Sequence, residues 1–179
     1  MLLHLLSHGA AALITATLWW YLQAASAFVV IPLSIATGVV LSHLIHEWGH
    51  FSGALLSQSR YTLKKKISPL FFDFDYVHNN ARQYLWLSAG GPLGNVLLLI
   101  LITAFCSLNH LAAQWLLATV IGQFIYVLVL EGPVTLGILR GGNPLDVLAK
   151  HFGQGKLLFQ RSLAIGVVSG LLVAACLTL

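Results

Sequence analysis

His46, Glu47, Trp48, Gly49 and His50 form an H-E-x-x-H motif. On an α-helix, positions i and i+4 share a face, so both imidazoles would reach one ion, and Zn²⁺ is the ion this arrangement suits. A glutamate beside the first histidine would lie next to the metal, placed to act as general base toward a water there. The motif occurs by chance in soluble helices, so its surroundings decide its weight. Here they are apolar. No Asp, Glu, Lys or Arg precedes Glu47. Ionisable groups within a membrane segment are costly and mark functional sites. Two histidines and a glutamate in such a segment need a compensating partner, and a metal supplies it. A polar helix–helix contact is the plainer alternative.

Other polar side chains in apolar surroundings are few. His43 lies one turn before His46, placed either to support the site or to hydrogen-bond across a helix contact. His4, His8, His78, His110 and His151 fall near span ends or in loops and read as interfacial, without metal roles. Ser88-Ala-Gly-Gly-Pro-Leu-Gly-Asn95 opens a later apolar segment. Its Gly91 and Asn95 stand one turn apart. A small residue lets helices approach closely, and an amide can hydrogen-bond across the contact. Simple packing would account for the pair, and so would holding an extended substrate strand beside the metal.

The elements that position these groups must cross a membrane. Hydrophobic residues make up 58% of the 179 and charged residues 8%, against roughly 25% charged in soluble domains. About 20 apolar residues span a bilayer. Five segments qualify: 4–22, 26–56, 85–106, 112–130 with an extension toward 139, and 157–177. Residues 1–179 therefore read as one all-α polytopic membrane domain. The first segment lacks the basic region of a cleaved signal peptide and reads as a span. Residues 61–76, with aromatics alternating with Asp73 and Asp75, suggest a short β hairpin at the membrane surface or a plain amphipathic loop. Cys106 and Cys176 read as buried small hydrophobes.

All nine basic residues fall in or beside two stretches, 58–82 and 140–156. The positive-inside rule places both in the cytoplasm, so five spans put the N-terminus inside and the C-terminus outside. This placement explains the net charge of +4 without nucleic-acid binding. The expected location is the cytoplasmic membrane of a bacterium or archaeon.

In order and spacing, His46-Glu47-x-x-His50, then Ala89-Gly-Gly-Pro-Leu-Gly-Asn95, then an acidic motif one span later, the chain resembles the site-2 protease family of intramembrane metalloproteases, from about residue 41 to 155. The resemblance implies cleavage of a peptide bond in or near a transmembrane segment of another membrane protein, in regulated intramembrane proteolysis or removal of signal-peptide remnants. It implies a third ligand, an aspartate in Leu-Asp-Gly with an asparagine eight residues before it. This chain departs from that pattern. Gln123 and Leu130-Glu131-Gly132 keep the spacing with Gln for Asn and Glu for Asp, whereas Asn143-Pro-Leu-Asp146 keeps the aspartate and loses the glycine. The residues themselves favour Glu131. It is the other carboxylate within a span and needs a cationic partner. It lies about 14 Å along a helix from Arg140, a depth similar to that of His50 before Arg60. Asp146 reads as a first-turn acid of a short helix capped by Asn143 and opened by Pro144.

The expected site is thus His46, His50 and Glu131 as metal ligands, Glu47 as catalytic base, and Gly91 and Asn95 as substrate-positioning residues, with Zn²⁺ as cofactor. The expected partners are a transmembrane protein or peptide and the lipid bilayer, with room for a regulatory protein. Two rivals remain. A metal transporter would carry polar groups through the full membrane depth. An inactive binder of transmembrane segments would not need Glu47.

Overall fold

A computed structural model describes residues 1–68 and 70–179. In chain order the elements are α1 (Leu2–Leu22), α2 (Ala27–Leu56), β1 (Tyr61–Leu63), β2 (Phe72–Phe74), α3 (Ala81–Phe105), α4 (Leu111–Leu139), α5 (Pro144–Phe152) and α6 (Lys156–Thr178). Five helices are long and apolar enough to cross a membrane. The protein is an all-α polytopic membrane protein, as its composition indicates. α3 begins four residues earlier than its apolar run, because Asn80 and Gln83 build a capping box there. α4 runs on through Pro133 to Leu139. Pro133 removes only the hydrogen bond to the Val129 carbonyl, and the flanking turns carry the helix past it.

α2, α3 and α4 pack on one another at the centre, α1 leans on α2, and α6 leans on α4. Glycine sets two of these contacts. A Cβ on Gly49 would collide with the Gly90 carbonyl, and one on Gly90 with the Gly49 carbonyl, so the α2 and α3 backbones touch. Gly122 of α4 meets Gly166 and Gly170 of α6 in the same way. In lipid, helices gain little by hiding apolar surface from one another, and close backbone packing takes over as the source of cohesion. The outward faces are correspondingly apolar, as at Leu6, Leu13, Leu97, Val168 and Leu172. The cysteines follow this logic and not the expected burial. Cys176 is exposed and Cys106 is half-buried, since an apolar residue in a span can face outward.

Two apolar clusters bracket the centre. One joins Trp19, Val30, Leu98, Ile102, Ala112, Leu116 and Val120. The other joins Ala54, Phe74, Tyr84, Leu87, Val134 and Ile138, with Val147 and Leu148 of α5 packed against it. The stretch after α2 is a hairpin. β1 and β2 pair antiparallel, with Tyr61 opposite Phe74, Thr62 opposite Asp73 and Leu63 opposite Phe72. Phe71, just before β2, folds back onto the helices. It is fully buried, with its ring centroid 4.5 Å from Trp48 and 5.5 Å from both His4 and His8.

Candidate metal centre

His46 and His50 leave α2 on the side that faces α3. Their rings lie in a hollow that exists because residue 91 is glycine: a Cβ there would strike His46 Cε1 and His50 Cε1 and Nε2. The two Nε2 atoms are 2.8 Å apart. From α4, Glu131 brings Oε1 to 3.2 Å from His46 Nε2 and Oε2 to 3.4 Å from His50 Nε2. One ligand atom from each of His46, His50 and Glu131 lies within 4.8 Å of the others, a group that can hold a metal ion.

The surrounding hydrogen bonds suit that use. A carbonyl only accepts, so His50 Nδ1–H donates to the Leu87 carbonyl at 2.7 Å and leaves the Nε2 lone pair free. Glu131 Oε2 is buried without a hydrogen-bond partner among the described residues. Two imidazole nitrogens and a carboxylate at these separations either share protons among themselves or converge on a cation. Two imidazoles and a carboxylate are a donor set that a divalent ion such as zinc accepts, so the residues fit a metal ion.

Further contacts fix the carboxylate's helix. Thr135 Oγ1 donates to the Glu131 carbonyl at 3.3 Å and is itself joined to Ser88 Oγ of α3. His151 Nε2–H of α5 donates to the Leu130 carbonyl at 2.7 Å. Asp146 stands apart in the first turn of α5, where Asn143 caps the backbone amides of Leu145 and Asp146. It is not in the metal-capable group, and Glu131 is.

Glu47 is buried and lines a cavity of about 320 Å³ with His50, Tyr76, Tyr84, Ser88 and Glu131. Hairpin residues Phe72, Asp73 and Phe74 form part of its wall. Burial, helped by the nearby Glu131 and Glu47 carboxylates, pushes the Tyr76 phenol up from its usual pKa, so its O–H remains a donor at neutral pH. Another cavity of about 260 Å³ shares Glu47, Leu70 and Glu131 with the first and is lined also by His43, His46, Asn95, Gln123 and Tyr126. Gln123, the residue eight before Glu131, thus faces the same space as the ligands. Asn95 is 1% exposed, with Nδ2 3.5 Å from His46 Nδ1. Gly91 lies against both imidazoles. His43 stays outside the metal-capable group and is exposed.

Sequence reasoning missed the work of His4, His8 and His151. His4 Nε2–H donates to the Lys64 carbonyl at 2.7 Å, and His8 Nε2–H to the Ser68 carbonyl at 3.1 Å. Trp48 Nε1–H donates to His8 Nδ1 at 3.1 Å, which fixes the His8 tautomer. The one legible signal was the i, i+4 spacing of His4 and His8, which puts both on one face of α1. No known family's model, no curated protein and no solved structure matches the chain.

Proposed function

We propose that the protein is an intramembrane zinc metalloprotease of the kind the site-2 proteases represent, acting on a transmembrane segment of another membrane protein. The observation that carries this reading is the convergence of Glu131 from α4 on the Nε2 atoms of His46 and His50, with Glu47 lining the adjoining cavity. Zinc bound there would lower the pKa of a water toward about 7 and polarise a scissile carbonyl. Glu47 takes the proton from the attacking water and returns it to the leaving amine. Tyr76 and Tyr84 supply donors around the cavity. Gly91 and Asn95 belong to the α3 face beside the ligands, where a substrate strand would be held. A transmembrane helix satisfies its carbonyls internally, so the substrate must unwind locally before attack. A metal-transport reading is less favoured because the described residues packed beyond the site are chiefly apolar, with Trp19, Val30, Leu98, Ile102 and Leu116 in one cluster and only the hydroxyls of Ser34 and Thr37 buried near them.

The test is cleavage by the purified protein, in vesicles, of synthetic single-span peptides, read by mass spectrometry. Wild type should release fragments with new termini in or near the span. Glu47→Gln should keep zinc and lose at least about 10²-fold in rate, the scale of a missing general base. Equal turnover by Glu47→Gln would remove Glu47 from the mechanism, and a wild type without zinc would remove the metal reading.

A further inference from the structure

The buried amide of Asn95 has one oxygen without a hydrogen-bond partner among the described residues. Its nitrogen lies 3.5 Å from His46 Nδ1, the limit of a hydrogen bond. The oxygen and nitrogen of a side-chain amide exchange places by a half turn, and their assignment follows from the network around them. That network makes a specific demand here. His50 already has its proton on Nδ1, held by the Leu87 carbonyl. For His46 to offer Nε2 as a ligand beside it, the His46 proton must likewise sit on Nδ1, and a buried N–H needs an acceptor. The polar group in reach of His46 Nδ1 among the described residues is the Asn95 amide. With the oxygen turned toward the ring, the orphaned acceptor and the N–H that needs one satisfy each other.

We propose that Asn95 is a positioning residue of the metal centre: its side-chain oxygen accepts from His46 Nδ1–H and holds the ring in the tautomer that presents Nε2 to the metal. The inference rests on the metal reading of the site. It gives the Gly91 and Asn95 pair one joint task. Gly91 leaves the hollow in which the rings lie, and Asn95, one turn on, holds the back of the His46 ring. His50 receives the same support from a backbone carbonyl of the same helix. α3 thus orients both histidines that α2 supplies. This is a different job from holding the substrate, and the two are separable.

The experiment is zinc affinity, measured by competition with a chromophoric chelator, for wild type, Asn95→Leu and Asn95→Asp. Leucine keeps the volume and removes the acceptor, and aspartate keeps the acceptor. Loss of an outer hydrogen-bond partner of a metal-bound histidine weakens binding about 10–100-fold, which is the result expected for Asn95→Leu. Asn95→Asp should stay near wild type. Wild-type zinc affinity in Asn95→Leu, whatever its cleavage rate, would overturn the inference and return Asn95 to the substrate. A wild type that binds no zinc would overturn the metal reading and the inference together. Should Asn95→Leu not fold, magic-angle-spinning NMR of the zinc-loaded wild type decides. The Asn95 carbonyl carbon should be the side-chain group nearest the His46 Nδ1 proton, and finding the NH₂ group there would overturn the proposal.

Discussion

A carboxylate in an apolar helix has few ways to exist, and Glu131 shows how far that constraint reaches. Arg161 is the one Lys or Arg inside an apolar segment, an exposed residue about one turn into 157–177, so no basic side chain in the sequence is placed deep in a span beside Glu131. The need for a cationic partner therefore singled out Glu131 from sequence, and the structure brings it to His46 and His50. Asp146 had a helix-capping explanation available, and the structure gives it that position. The prediction at this scale is a contrast. Glu131→Ala should lower zinc affinity sharply, by at least about tenfold, while Asp146→Ala keeps it, as metal analysis after dialysis against a chelator would show. Zinc loss in Asp146→Ala alone would move the third ligand. The histidine roles divide differently. His46 and His50 were legible because their partner is fixed by spacing within one helix. His4, His8 and His151 were not, because their acceptors are backbone carbonyls at Lys64, Ser68 and Leu130. Every residue has such a carbonyl, so no side-chain pattern points to the right one.

Element ends were legible where a local signal stood, as at Asn143, Pro144 and Gly153 around α5. The same held for Asn80 and Gln83 once cap chemistry and not hydropathy is used to find the start of α3. The hairpin remained open between two readings because its strands are three residues each, too short for alternation to tell a strand from a loop. The glycines give the sharpest prediction about elements. Gly49→Ala would force its Cβ into the backbone carbonyl of Gly90, which cannot move aside as a side chain can. It should destabilise the bundle by at least the 1–3 kcal/mol typical of overpacking, roughly, and pull His50 away from α3. Gly132→Ala, one residue beyond Glu131, meets open space and should be neutral or slightly stabilising through better helix propensity. Thermal unfolding in detergent, with zinc content measured alongside, separates the two. Equal stability of both variants would contradict the α2–α3 backbone contact.

At the scale of the whole molecule, composition settled the class, since 58% hydrophobic residues leave material for spans and little else. It did not settle which helices touch. The α2–α3 and α4–α6 pairings follow from glycine contacts that hydropathy cannot register. Orientation rests on charge. If Arg60, Lys64, Lys65, Lys66, Arg82, Arg140, Lys150, Lys156 and Arg161 all lie on or toward one side, that side is cytoplasmic by the positive-inside rule. Alkaline phosphatase fused after Leu179 should then be active, and the same reporter fused after Gly142 inactive. The opposite pattern would invert the topology.

α2 has 30 residues, about 45 Å of helix, whereas the hydrocarbon core of a bilayer is about 30 Å thick. An average tilt of about 20° shortens its projection by only a few ångströms. Roughly a quarter of α2 must therefore overhang, and the hairpin and basic residues at its C-terminal end mark which end that is. His46 lies about 29 Å from the start of the helix by the same rise. The metal-capable group consequently rides near a hydrophobic boundary and not at the bilayer midplane. Its depth is fixed by hydrophobic mismatch, a property shared between the chain and its lipids. A membrane a few ångströms thicker would draw the group inward from water, and a thinner one would bring it to the surface.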